Sequence, residues 1–169
     1  CTHRALEIAR ETGHGMAEAM QHGNLGLLAM RAGALDDARR HLVRAADAFE
    51  REGAQPGVAQ VWVALGELAV KEGEHQRALD HFGAAFERLV GLGALNDAAV
   101  ARANMAHLLR RQGRAREAVD YYLEVQAVLG PDGDPAGAAA LDLAQAMMDT
   151  GDWHAARQAL VTAEEASRR

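Results

Sequence analysis

Little in this chain can cross-link, stiffen or coordinate. One cysteine, Cys1, stands among 169 residues, so no internal disulfide can form and a reducing, cytoplasmic compartment is the simplest setting. Proline occurs three times. Pro56 opens a segment and Pro131 and Pro135 flank a short turn, so none interrupts an apolar-periodic run. Aromatic residues make up 4% and isoleucine is almost missing, while alanine and leucine supply most of the apolar surface. That composition favours helix over sheet. Serine occurs only at Ser167, which removes the nucleophile-elbow pattern. Lysine occurs only at Lys71, its place otherwise taken by arginine, as in proteins of GC-rich bacterial genomes. No apolar run approaches the roughly 20 residues of a membrane span, and no signal peptide is visible. The start at Cys1 instead of Met suggests a cut through a longer protein.

The formal net charge of −6 disfavours binding to phosphate backbones, which calls for a basic face. Arg110, Arg111, Arg114 and Arg116 form a local basic cluster, which reads as a solvated turn between helices. The eight histidines include no two that are three or four residues apart, so no single helix presents a paired metal site. There is no H-E-x-x-H and no glycine-rich phosphate loop. Carboxylates fall at turns and helix ends; Asp36 and Asp37, for example, suit the positive end of a helix dipole. The expectation is a chain with no catalytic residues, no cofactor and no metal, and with neither nucleic acid nor membrane as a partner.

What the chain does have is a period. Gly33, Gly73 and Gly113 are forty residues apart, and Gly151 follows after thirty-eight. Five residues beyond each stands an alanine (Ala38, Ala78, Ala118, Ala156), and four further on a large apolar residue (Leu42, Phe82, Tyr122, Leu160). Seven before each glycine stands a small residue (Gly26, Gly66, Ala106, Ala144), preceded by Leu25, Leu65, Met105 or Leu143. Each register predicts two antiparallel helices around a turn glycine in the left-handed conformation, the small residue of the first facing the alanine of the second. The expected repeats span about 15–52, 56–91, 95–129 and 135–168, with residues 2–12 an orphan helix from a truncated repeat. That gives nine helices in one all-α array, stabilised by stacking of neighbouring hairpins.

The pattern resembles the tetratricopeptide repeat. The second repeat carries it best, with Trp62, Leu65, Gly66, Ala69, Ala78, Phe82 and Ala85. The family's leading aromatic is missing from the other repeats and its closing proline from all four. The usual unit is about 34 residues; the longer unit here, and the run Gly23-Asn24-Leu25-Gly26, are similar to the long-repeat variant of kinesin light chains, G-protein-regulator scaffolds and bacterial multidomain regulators. The resemblance implies a right-handed α-solenoid of helix hairpins whose first helices line a concave groove. On that register the candidate peptide-binding residues are Asn24, Leu27, Met30 and Arg31, then Glu67 and Lys71, then Asn104, His107, Arg110 and Arg111, and finally Asp142 and Gln145. Asn24 and Asn104 are equivalent, and a side-chain amide there can both donate to and accept from an extended peptide backbone. A clamp for a C-terminal carboxylate is not reproduced, because Val63 and Ala64 stand where it needs polar groups.

The function implied is a non-catalytic protein-interaction module of a larger regulator or scaffold, with a protein or peptide as ligand. The alternatives are self-assembly through the apolar edge of residues 2–12, where Leu6 and Ile8 lie, and an RNA-reading helical repeat. The acidic charge and the lack of a repeated polar code disfavour the latter.

Overall fold

The computed structural model describes the backbone of residues 2–129 and 136–167 and the side chains within 15–127 and 140–161. Among these residues every regular element is an α-helix. There are eight: α1 (Thr2–Arg31), α2 (Leu35–Arg51), α3 (Gln55–Glu72), α4 (His75–Gly91), α5 (Leu95–Arg111), α6 (Ala115–Leu129), α7 (Ala136–Asp149) and α8 (Trp153–Ser167). From α2 onward the bounds follow the glycine register to within a residue or two. The Asp134-Pro135 segment lies outside the described residues.

The start of the chain differs from expectation. Residues 2–12 and the first helix of the first repeat are one continuous 30-residue helix, so the described chain has eight helices and not nine. Gly13 and Gly15 weaken a helix by about 1 kcal/mol each against alanine, yet both keep their N–H donors, and α1 runs through them. The expectation of self-association through residues 2–12 falls where side chains are not described.

Among the described residues, each turn between helices repeats one hydrogen-bond pattern. Gly33 adopts φ 78°, its N–H bonds to the Met30 carbonyl, and the Ala34 N–H reaches back to the Ala29 carbonyl. This is the Schellman arrangement, which satisfies carbonyls that a helix end would otherwise orphan. The same pair of bonds recurs at Gly53, Gly73, Gly93, Gly113 and Gly151, all with positive φ. The first five of these glycines are twenty residues apart. The turn within a hairpin and the turn between hairpins are therefore the same device, and the backbone period is half the forty read from side chains.

Packing inside the hairpins also corrects the sequence reading. Gly26 and Gly66 do not face alanines. A Cβ placed on Gly26 would lie 2.7 Å from Leu42, and one on Gly66 would lie 2.5 Å from the Phe82 ring. The glycine is the seat of the large side chain. Ala38, Ala78, Ala118 and Ala156 are buried. Alanine outnumbers all other buried apolar residues together among the described ones, so a few large side chains fill most of the space between helices.

The chain divides into two compact units, Cys1–Ala84 and Ala85–Arg169. The core of the first is Met30, Ala38, Leu42, Ala45, Ala46, Val61, Ala64 and Leu68, with Phe49 and Leu65 packed against it. Arg39 of α2 ties to Glu72 at the end of α3 at 2.5 Å. In the second, Met105, Leu108, Leu109, Tyr122, Val125 and Leu143 are buried with alanines between them. No helix among the described residues is long and apolar enough to cross a membrane.

Candidate functional site

In the first unit the first-helix faces form a cleft of about 180 Å³. Met20, Gly23, Asn24 and Leu27 of α1 make one wall, and Gln60, Val61 and Ala64 of α3 the other. Leu42 and Phe49 of α2 form its floor, together with Gly57. The opening exists because Gly23 and Gly57 carry no side chain; Gly57 gives way to the Phe49 ring, 2.5 Å from where its Cβ would lie. Met20 is 57% exposed and Leu27 37%. Two apolar side chains thus flank the amide of Asn24 on a surface open to solvent. The floor residues Phe49 and Gly57 were not legible as site residues, since both sit in core or turn registers.

Met30 does not belong to this surface. It is 6% exposed and lies inside the core cluster, because helix rotation carries it past the groove edge onto the face that meets α2. Arg31 and Lys71 are exposed in the last turns of α1 and α3, where a cation also meets the negative end of the helix dipole.

Glu67 is exposed as a residue, but its carboxyl is partly shielded. That shielding raises its pKa above the ordinary carboxylate range, opposed in part by Lys71 one turn on. A carboxyl whose pKa is higher folded than unfolded takes up protons preferentially in the native state. Stability is therefore expected to fall as pH rises from the ordinary carboxylate range through the raised value. Glu67→Gln should raise neutral-pH stability by no more than about 0.5 kcal/mol after solvent screening, with the gain vanishing near pH 4. Urea unfolding of both proteins across pH 4–7 checks this, and an equal difference at every pH would contradict it.

In the second unit four of the predicted residues fall into two separate polar groups. His107 of α5 holds its Nδ1 2.8 Å from the Tyr122 hydroxyl of α6, and its Nε2 lies 3.4 Å from the Asp142 carboxylate of α7. With Nε2–H directed at Asp142, Nδ1 accepts from the tyrosine. Burial first, then the nearby Asp142, pushes the Tyr122 pKa well above the ordinary tyrosine range, so the hydroxyl stays a donor. Tyr122 is fully buried, out of reach of a substrate, and its role is to orient His107. Arg110 reaches Asp149 at 3.7 Å, and Gln145 donates to the same carboxylate at 3.2 Å. Arg110 is therefore occupied within the chain, whereas Arg111 is exposed. Asn104, on the same face of α5, differs from all of these: its Nδ2 is buried and has no hydrogen-bond partner. Tyr122 was legible only as a core residue. Trp153, at the start of α8, is 68% exposed.

Among the described residues no three histidine, cysteine or carboxylate side chains gather as a metal cluster would require. Residues 16–89 match a family model described as tetratricopeptide repeat. No curated protein matches the chain. Among solved structures it is similar to BtubC (BKLC) from P. vanneervenii, at 19% identity and TM-score 0.76, over 89% of this chain and 63% of that one. It is also similar to MamA, at 19% identity and TM-score 0.63, over 89% of this chain and 78% of that one. The chain thus spans less than two thirds of the BtubC chain, and at this identity the likeness concerns the fold. Residues 16–89 therefore carry tetratricopeptide repeats, and further paired helices follow them through the described residues.

Proposed function

We propose that this chain is a protein-interaction module of a larger regulator or scaffold, and that it takes a peptide segment against the first-helix faces of its repeats. The observation that carries the reading is the unpartnered, buried amide of Asn104. Leaving such a donor unsatisfied costs about 1–3 kcal/mol, and an outward turn of the half-buried Asn104 side chain would offer it to a peptide carbonyl running past α5. Asn24 holds the equivalent place in the first repeat and borders the cleft, between side chains suited to an apolar residue of a peptide. His107, Arg110, Asp142 and Gln145 of the second unit are taken up in hydrogen bonds and salt bridges within the chain, which supports recognition over chemistry.

Peptides selected by display against the intact chain test the reading. Combining Asn104→Ala with Arg110→Glu, or Asn24→Ala with Leu27→Glu, should weaken the selected peptides by about 10- to 100-fold. Arg40→Ala, on an exposed face of α2, should leave them unchanged. Asn104→Ala alone should not lower the melting temperature, because it removes a donor that the fold leaves unsatisfied. Equal affinity of wild type and both double variants would place the binding surface elsewhere.

A further inference from the structure

Spacing along one helix cannot reveal histidines that a hairpin brings together. His22 on α1 and His41 on α2 face each other with their Nδ1 atoms 2.9 Å apart. Their ring centroids are 5.1 Å apart and the planes are tilted by 34°. Both are half-buried, reachable by a small ion yet held by packing. Leu42, next to His41, is seated on Gly26, one turn beyond His22, so the hairpin that carries the pair is closely packed.

Two Nδ1 atoms at this distance share one proton, the donor on one ring and the lone pair on the other. Moving that proton to the donor ring's own Nε2 leaves both rings neutral, with two Nδ1 lone pairs 2.9 Å apart that a turn of the rings can direct at one ion. Nitrogen ligands at about 2.0–2.1 Å in adjacent positions of a square-planar or octahedral ion lie about 2.9 Å from each other. A tetrahedral ion would need about 3.3 Å. The observed separation meets the first requirement without movement of either helix. The pairing is also particular to this hairpin: the equivalent positions hold Trp62 and His81 in the second repeat and Arg102 and Tyr121 in the third.

We propose that His22 and His41 form a two-imidazole site for a late first-row divalent ion, Ni²⁺ or Cu²⁺, with water completing the shell. Binding holds both rings as their Nε2–H tautomers and clips α1 to α2. An ion that binds only the folded hairpin stabilises it.

The test is a calorimetric titration of the untagged chain with NiCl₂ alone, repeated for His22→Asn, His41→Asn and the exposed control His75→Asn. All four proteins carry Cys1 and His3, so any ligation there is common to them. The expected result is a wild-type site of one ion per chain that is weakened by on the order of tenfold or more in each pair variant and unchanged in the control. Saturating Ni²⁺ should raise the wild-type melting temperature by about 5 °C. Paramagnetic broadening of the His22 and His41 ring signals should accompany binding to wild type, which keeps the test valid if a variant fails to fold. Equal Ni²⁺ affinity in wild type and both pair variants would overturn the proposal, as would sharp His22 and His41 signals at saturation.

Discussion

Phe82→Ala should remove about 3–5 kcal/mol from the first unit, the range for deleting a fully buried aromatic ring. Phe82 is 1% exposed, and its ring lies against Gly66 with three atoms within 2.9 Å of where a Cβ would sit. The same contact makes a more discriminating prediction. In the wild-type chain Gly66→Ala gains about 1 kcal/mol of helix propensity but must displace a ring that has nowhere to go, at about 1–3 kcal/mol. The net effect is destabilising. Once Phe82 is alanine, the obstacle is gone and a methyl at position 66 fills part of the cavity. Gly66→Ala should then stabilise by about 1 kcal/mol, a reversal of sign with a coupling of about 2 kcal/mol. Trp62 lies in the first unit and Trp153 in the second. In a Trp153→Phe background, denaturant unfolding followed by Trp62 fluorescence therefore reads the first unit alone. Additive effects of the two substitutions would show that the glycine is not the seat of the ring.

The hairpins were legible because each signal in them is local and periodic. A glycine that must adopt positive φ, followed five residues later by a buried alanine and then by a large apolar residue, recurs in four registers and has few other physical solutions. The twenty-residue period was harder to see, since Gly53 and Gly93 sit among other turn residues and only the hydrogen bonds show that they cap helices as Gly33 does. The continuity of α1 escaped the sequence reading because paired glycines look like a break while costing a long helix little. At the candidate site, two residues picked by register, Asn24 and Leu27, border the cleft of the first unit. Register failed for Met30, whose position near the edge of the face decides between groove and core by a few tens of degrees of helix rotation. It could not anticipate that Arg110 is held by Asp149 or that His107 bridges Tyr122 and Asp142, because those contacts join residues on different helices. The His22–His41 pair escaped for the same reason.

Arg102→Lys is expected to cost the second unit about 2 kcal/mol, although it keeps the charge. Arg102 stands forty residues after Trp62, where the family places an aromatic. Its guanidinium carbon lies 4.4 Å from the centre of the Phe86 ring and 4.2 Å from that of Tyr121. Its Nε donates to Glu124 at 2.5 Å, and only 16% of its side chain is exposed. A planar cation thus does the packing work of the missing indole: it lies close to two rings while hydrogen-bonding in its own plane. Each cation–ring contact contributes about 0.5–2 kcal/mol, more as water is excluded. Lysine offers a point charge that cannot stack on both rings and reach Glu124 at once, and what it gives up stays in a shielded place. Arg102→Trp should be the milder change. It restores the aromatic packing, and the Glu124 it releases is 46% exposed, so water solvates the carboxylate at little cost. Raising the salt concentration to about 1 M should leave the lysine penalty largely intact, because the contacts are shielded from solvent. Hydrogen exchange in α5 and α6 reads the effect directly: protection should fall by about 30-fold for lysine, the equivalent of 2 kcal/mol, and by less for tryptophan. If lysine and tryptophan lose protection equally, or if lysine loses none, the guanidinium plane is not what holds α5 against its neighbours.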